Sequence, residues 1–356
     1  MSDKVNTCSK GRGADSNAVS RFSEYAREAF DDGWHPDERI PVRTEFLVDD
    51  SRTIISHNDS PDVPFTSSIN PYKGCEHGCS YCFARPTHAY LDLSPGLDFE
   101  SKIFTKPNAA ELLRKALARR NYQPEVIVLG ANTDAYQPVE RRLGITRNII
   151  QELHDHRHPA AIITKSSLIE RDLDLLTPMA EANLVKVFVS VTTLDRELSR
   201  QLEPRAAAPK RRLQTIERLN QAGIPTGVLM APIIPVLNDH EIESLLTRCA
   251  EAGAGSASYV ILRLPHEIKE LFQQWLLEHY PLKAEHVMNR VRDLRGGQAY
   301  RAEFGERMRG TGQYADLIAH RFALACKKSG LNRRTLDLDC TQFRVPIKRG
   351  DQMGLF

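Results

Sequence analysis

Val126-Ile127-Val128-Leu129-Gly130-Ala131-Asn132-Thr133-Asp134 is the stretch on which the fold turns. Four apolar residues, three of them β-branched, run without alternation and stop at a glycine. A strand that is apolar on both faces must be covered on both faces, as in a parallel sheet flanked by helices. The polar residues after Gly130 then sit at the carboxyl end of that strand, where parallel α/β folds keep their chemistry.

The same pattern recurs outward from this run. Upstream, Ser67 to Tyr72 reads as a strand, and Asn108 as the N-cap of a helix with Leu112, Leu113, Ala116 and Leu117 at helical spacing. Downstream, Thr146 to Asp155 reads as helix, Ala160 to Thr164 as strand, Arg171 to Ala182 as helix and Val185 to Val191 as strand. The series continues with a helix over Lys210 to Ala222, a strand over Gly227 to Ala231, a helix over Asp239 to Ala252 and a strand over Tyr259 to Leu264. Strands that alternate with helices imply right-handed βαβ units and a parallel sheet. Six such units predict an α/β fold, a partial (β/α)6 TIM-like barrel rather than a closed eightfold one. The expected division is an N-terminal arm over 1–60, the barrel over 61–265 and a helical C-terminal extension over 266–356. The arm is polar, with one short helix around Arg21 to Phe30. The extension reads as helices over Glu267 to His279, Ala284 to Leu294 and Tyr314 to Ser329, with a short strand near Leu336 to Leu338.

Of 356 residues, 41% are hydrophobic and 26% charged, ordinary for a globular chain. No run approaches the roughly 18 apolar residues of a membrane-spanning helix, and Met1 to Gly13 lacks the apolar core of a secretory signal. A cytoplasmic protein with no membrane partner is expected. The net charge of +2 does not by itself announce a nucleic-acid binder. Six arginines between Arg290 and Arg309 read either as a solvated helical face or as a surface for phosphates.

Seven cysteines in a chain this long do not make a disulfide scaffold. Cys8, Cys249, Cys326 and Cys340 are scattered, but three fall within Cys75-Glu76-His77-Gly78-Cys79-Ser80-Tyr81-Cys82. Gly74 and Gly78 let a tight loop turn three thiolates inward. Thiolates are the usual ligands of a four-iron cubane, and three of them leave one iron open for reaction. A zinc site using His77 is the rival, although no second ligand pair follows at the usual spacing.

With Tyr81 as the aromatic residue before the third cysteine, the loop resembles the signature of the radical S-adenosylmethionine superfamily. Thr164-Lys165, Phe188-Val189-Ser190-Val191, Leu202-Glu203-Pro204-Arg205, Ala222-Gly223-Ile224-Pro225 and Met230-Ala231-Pro232-Ile233 resemble the branch of spore photoproduct lyase and DNA-repair-photolyase-like proteins, over about residues 66 to 265. The arm and the C-terminal helices resemble a bacterial subgroup of that superfamily. The resemblance implies a 4Fe–4S cluster on Cys75, Cys79 and Cys82, and S-adenosylmethionine as the second cofactor. It also implies reductive cleavage to a 5′-deoxyadenosyl radical that abstracts hydrogen, with a flavodoxin- or ferredoxin-like protein supplying the electron. The three cysteines and Tyr81 would form the catalytic centre, the backbone around Tyr81 lying against the adenine. Lys165 would meet the cofactor carboxylate, while Ser190 and Thr133 would bond its ribose or methionyl group. The bland alternative for Ser190 and Thr133 is strand-end capping.

Glu203, Arg205, Asp134 and Tyr136 complete the candidate pocket, with Asp134 alternatively opening a helix. Arg205, with Lys210, Arg211 and Arg212, reads as a phosphate contact or as the basic start of a helix. Where spore photoproduct lyase has a hydrogen-donating cysteine after the second strand, this chain has Asn132. The resemblance therefore carries the scaffold and the first step, with nucleic acid as one candidate substrate. RNA, a peptide or a small metabolite are enzymatic alternatives, and an iron–sulfur electron-transfer or sensing protein is the non-enzymatic one.

Overall fold

The computed structural model describes residues 11–14, 16–22 and 42–346. Two strands precede the barrel, β1 (Glu45–Val48) and β2 (Ile55–His57). The barrel begins at β3 (Ser67–Ile69), and the chain passes through β4 (Tyr72–Lys73) into the cysteine loop. After that loop, α1 (Leu97–Ser101), β5 (Lys102–Thr105) and α2 (Ala109–Leu117) lead to β6 (Ile127–Leu129). Then α3 (Glu140–Leu143) and α4 (Ile145–Asp155) precede β7 (Ala160–Thr164), and α5 (Leu173–Glu181) precedes β8 (Val185–Ser190). The next units are α6 (Arg196–Leu202) and α7 (Pro209–Gln221) before β9 (Thr226–Ile233), and α8 (Ile242–Glu251) before β10 (Ser256–Ile261). Three helices follow, α9 (Ile268–His279), α10 (Pro281–Asp293) and α11 (Gln313–Ser329).

The main sheet has the order β10-β9-β8-β7-β6-β3-β2. Every pair from β3 to β10 is parallel, and β2 adds an antiparallel edge on β3. This is the expected α/β partial barrel. All of β6 is buried, which is why its sequence shows no alternation. Helix α4 lays Ile145, Ile149, Ile150 and Leu153 onto the sheet, spaced as one helical face. Helix α11 packs in the same core through Ala315, Ile318 and Phe322, the last meeting Tyr259 of β10 at 4.6 Å between ring centroids. Helices α9 and α10 build a separate apolar cluster around Phe272, Trp275 and Leu276, which also takes in Leu198 and Leu202 of α6.

Several expectations change. The strand expected over Ser67 to Tyr72 is two strands in different sheets. Pro71 cannot donate a ladder bond, and Asn70 turns its side chain to accept the Asn132 amide at 3.0 Å. The second sheet, β1-β5-β4, was not foreseen, since β1 pairs in parallel with β5 from far along the chain. Strand β10 starts at Ser256 and ends at Ile261, so Arg263 and Leu264 lie beyond it. No strand forms at Leu336 to Leu338. The carbonyls of Leu336 and Asp337 accept instead from the side chains of Lys186 at 3.1 Å and Asn183 at 2.9 Å. The helix expected around Arg21 to Phe30 lies almost wholly outside the described residues, as does Cys8.

An open sheet leaves β2 and β10 as distant edges. The segment 303–309 spans them. The Met308 carbonyl accepts from Ile261 at 2.9 Å, the Gly305 amide donates to Asp62 at 2.6 Å, and Arg307 pairs with Asp62.

Candidate active site

The cysteine loop is held by partners from four directions. Gly74 and Gly78 take φ values of 82° and 66°, left-handed conformations that a side chain would strain. The Cys75 amide donates to Phe99 O at 2.9 Å and the Ser80 amide to Leu202 O at 2.9 Å. Gln137 reads the loop twice, accepting from the Glu76 amide at 2.9 Å and donating to Gly74 O at 3.1 Å. Beneath it, the fully buried Arg85 donates to Cys79 O at 2.9 Å and Gly96 O at 2.9 Å and pairs with buried Glu100. Glu100 in turn accepts the amides of Gly13 at 3.0 Å and Ala14 at 2.9 Å, which docks the arm under the loop. A loop fixed by this many bonds is preorganised for whatever its sulfurs hold.

Cys75, Cys79 and Cys82 open onto one cavity of about 250 Å3 at the carboxyl ends of the strands. That is several times the roughly 30 Å3 share of one water, so the cavity is ligand-sized. Thr133 and Asp134 reach it after β6, Lys165 after β7, Ser190 at the end of β8 and Ala231 from β9. Burial pushes the Cys79 thiol up to about 12, and raises Cys75 and Cys82 as well. Thiols whose burial disfavours the thiolate have no reason to ionise unless a cationic group takes the charge. Among the described residues no three His, Cys, Asp or Glu side chains are grouped to hold a single ion. Three cysteines lining one space are the donor set of a thiolate-bound group such as an iron–sulfur cluster.

Lys165 places its ammonium 6.0 Å from the centre of the Tyr81 ring, with no carboxylate in contact among the described residues. Burial alone would lower its pKa, but attraction to Cys79, in the ionised form a bound group would stabilise, and to Glu203 outweighs that and raises it. Asp134 accepts from Thr164 Oγ1 at 2.7 Å and from the Lys165 amide at 2.7 Å, and lies 3.3 Å from His77 Nδ1. Burial would raise the Asp134 carboxyl, yet His77 and these donors hold it well below the usual carboxylate range. Asp134 therefore clamps β7 to the cysteine loop. No helix opens there, because α3 begins only at Glu140.

Other expected site residues are elsewhere or already occupied. Glu203 is 2% exposed, pairs with Arg212, accepts from Tyr81 and Thr192, and does not line the cavity. Arg205 does not line it either, and lies 3.4 Å from Glu76. Tyr136 is buried away from it, donating to Asp172 at 3.0 Å. Thr133 lines it, but its hydroxyl donates to Tyr72 O at 2.7 Å. The Ser190 carbonyl accepts from Arg212 at 3.0 Å, while its side chain lines the cavity.

The basic run also disperses, for Arg211 meets Glu170 at 2.7 Å and Arg212 is buried on Glu203. The Arg290 to Arg309 group does the same. Arg290 meets Asp293 at 3.2 Å, Arg301 meets Glu306 at 3.0 Å, and Arg295 is buried on carbonyls. Arg211 and Arg212 are claimed by carboxylates of other segments, Arg290 and Arg301 by nearby carboxylates of their own, and Arg295 by carbonyls. Cys249 and Cys326 are buried in the barrel core, burial pushing them up to about 12 and about 11. Sequence reading missed the wall formed by Val63, Phe65, Phe83, Arg263 and Met308. Only the exposed aromatic Phe83, one residue past Cys82, signalled it.

A partial parallel barrel with a preorganised three-cysteine loop at its strand ends defines the class as an α/β enzyme built around a thiolate-bound metal cluster. Residues 69–249 match the family model of the Radical SAM superfamily, and the chain belongs to it. It is an enzyme of the radical SAM class, whose chemistry implies an iron–sulfur cluster and S-adenosylmethionine. Uncharacterized proteins of Mycobacterium tuberculosis and Mycobacterium bovis are 38% identical over 234 residues, 65% of this chain and 68% of theirs. One from Methanocaldococcus jannaschii is 27% identical over 224 residues, 63% of this chain and 80% of its own. Among solved structures, spore photoproduct lyase in complex with dinucleoside spore photoproduct matches at a TM-score of 0.57 and 16% identity, over 80% of each chain. That likeness is one of fold. No helix among the described residues is long and apolar enough to cross a membrane.

Proposed function

We propose that Cys75, Cys79 and Cys82 hold a 4Fe–4S cluster at which S-adenosylmethionine is cleaved to start hydrogen abstraction from a bound substrate. One observation carries this reading: three cysteines, two of them buried and one half-buried, share a single cavity at the strand ends with an unpaired lysine ammonium. When bound, the cluster and cofactor together supply a reactive 5′-deoxyadenosyl group. The chain's own residues do the rest. Lys165 pairs with the cofactor carboxylate, a charge-assisted contact strengthened by the dry wall around it. The backbone at Tyr81 lies against the adenine, and the Tyr81 ring is held by Glu203, itself fixed by Arg212. Ser190 offers a hydroxyl to the ribose or methionyl part. Thr133, already donating to Tyr72, offers a lone pair. Glu203 and Arg205 act as supports and not as cofactor contacts.

The substrate reading favoured by the shared fold is nucleic acid, with RNA, a peptide or a small metabolite as alternatives. A flavodoxin- or ferredoxin-like protein would deliver the electron in the cytoplasm. Asn132 lines the cavity where the resembled family keeps a thiol, so the product radical is quenched by another route than a cysteine at this position.

Anaerobically reconstituted protein should be brown, carry about four irons and release 5′-deoxyadenosine when reduced with S-adenosylmethionine. Cys79→Ala should abolish both colour and product. Colourless protein, or brown protein that releases no 5′-deoxyadenosine, would refute the proposal. Binding to DNA that is indifferent to salt would count against the nucleic-acid reading.

A further inference from the structure

Arg263 lies just past the end of β10 and forms part of the cavity wall. Its guanidinium carbon sits 5.1 Å from the centre of the Phe83 ring, and Nη1 reaches the Met308 sulfur at 3.5 Å. Nε is buried with no hydrogen-bond partner. No carboxylate lies in contact with it among the described residues. Asp62 feels its charge, but the Asp62 oxygens are taken by Arg307 and the Gly305 amide. Arg295, nearby, spends its donors on the carbonyls of Glu306 at 2.7 Å and Leu262 at 2.9 Å. Arg263 is thus a permanent cation on a wall that is otherwise Val63, Phe65, Phe83, Ile261 and Met308.

A cation held against apolar surface is costly unless an anion answers it. Among the described residues two unpaired cations face this cavity, Lys165 from β7 and Arg263 from beyond β10, three strands apart in the sheet. S-adenosylmethionine brings a single carboxylate, and the proposed function gives it to Lys165. We infer that Arg263 anchors an oxyanion of the substrate, a phosphate or a carboxylate, whose apolar or ring portion rests on Phe83 and Met308. The planar fork of arginine suits either group bidentately. The inference rests on the proposed function for the assignment of Lys165, and it narrows the substrate to an anionic molecule.

Phenyl phosphate, benzoate and benzyl alcohol, titrated calorimetrically under anaerobic conditions with and without saturating S-adenosylmethionine, test it. At least one anionic probe should bind about tenfold or more tightly than the alcohol, the size expected of a charged hydrogen-bonded contact. That preference should vanish in Arg263→Gln and survive partly in Arg263→Lys. It should be intact in Arg309→Gln, which alters a cation stacked on Tyr259 outside the cavity. The better of the two anions distinguishes phosphate from carboxylate recognition. Equal binding of all three probes, or a preference that persists in Arg263→Gln, overturns the inference. Failure to bind S-adenosylmethionine would instead sink the cofactor reading, and the probe comparison is then made in Lys165→Gln and Lys165→Gln/Arg263→Gln, so that Lys165 cannot supply the preference.

Discussion

Glu203 shows how much one buried carboxylate can organise. It accepts from Tyr81 of the cysteine loop, far away in sequence, and from Thr192 after β8, and pairs with Arg212 of α7. Burial alone would raise its pKa, but the charges of Arg212 and Lys165 and the bonds from Arg212 and Tyr81 bring it down to about 2. Replacing it strands a guanidinium that is only 2% exposed. Glu203→Gln should therefore cost about 3–5 kcal/mol, read from the urea midpoint, whereas Glu203→Leu combined with Arg212→Met should cost much less. The sign of the pH dependence follows from the depressed value. The difference between wild type and Glu203→Gln should be full above the ordinary value of 4.5 and shrink as pH falls through about 2. A difference that is flat with pH, or a double variant no better than the single one, would show that the pair does not act this way. At this scale sequence reading expected a pocket residue, whereas the structure turns the carboxylate to Tyr81, Thr192 and Arg212 and away from the cavity lining. A Glu beside a strand end looks like a pocket residue until its partners are seen.

The arm and the cysteine loop are coupled as elements. Gly13 packs so closely on the loop that a Cβ there would lie 1.6 Å from the Gly78 carbonyl oxygen, which is backbone and cannot swing aside. With the Gly13 and Ala14 amides on Glu100, the arm covers the side of the loop away from the cavity. Gly13→Ala should lift residues 11–14 from the loop and make the reconstituted cluster bleach several-fold faster in air, followed by visible absorbance. Bleaching at the wild-type rate would show that the arm gives no cover. Elements with strong periodicity were legible, since α4, α7, α11 and β7 fall within a residue or so of their expected limits. Those defined by distant partners were not. The four residues of β1 are all exposed and carry no pattern, and only pairing with β5 makes them a strand.

For the whole molecule, the main question is how an open sheet is closed. Six parallel strands leave a gap, and Arg307 with Asp62 fastens the segment after α10 to the connection before β3 across it. Arg307→Ala should cost about 1–3 kcal/mol, because it leaves the nearly buried Asp62 carboxylate without its partner. Amide exchange should rise at residues 58–65 and 303–309 while β7 and β8 stay protected. Uniform exchange across the barrel would mean that the latch is not local. The sequence alone determined the parallel α/β barrel and the three-cysteine loop, because both are written in short-range signals. One is a hydrophobic period set by which faces are covered, and the other is a spacing within eight residues. Only the tertiary structure decided which charged groups face the cavity. Lys165 and Arg263 remain unpaired there while Glu203, Arg205, Arg211 and Arg212 are claimed elsewhere. A charge takes its role from the nearest opposite charge in space, and that neighbour is set by packing.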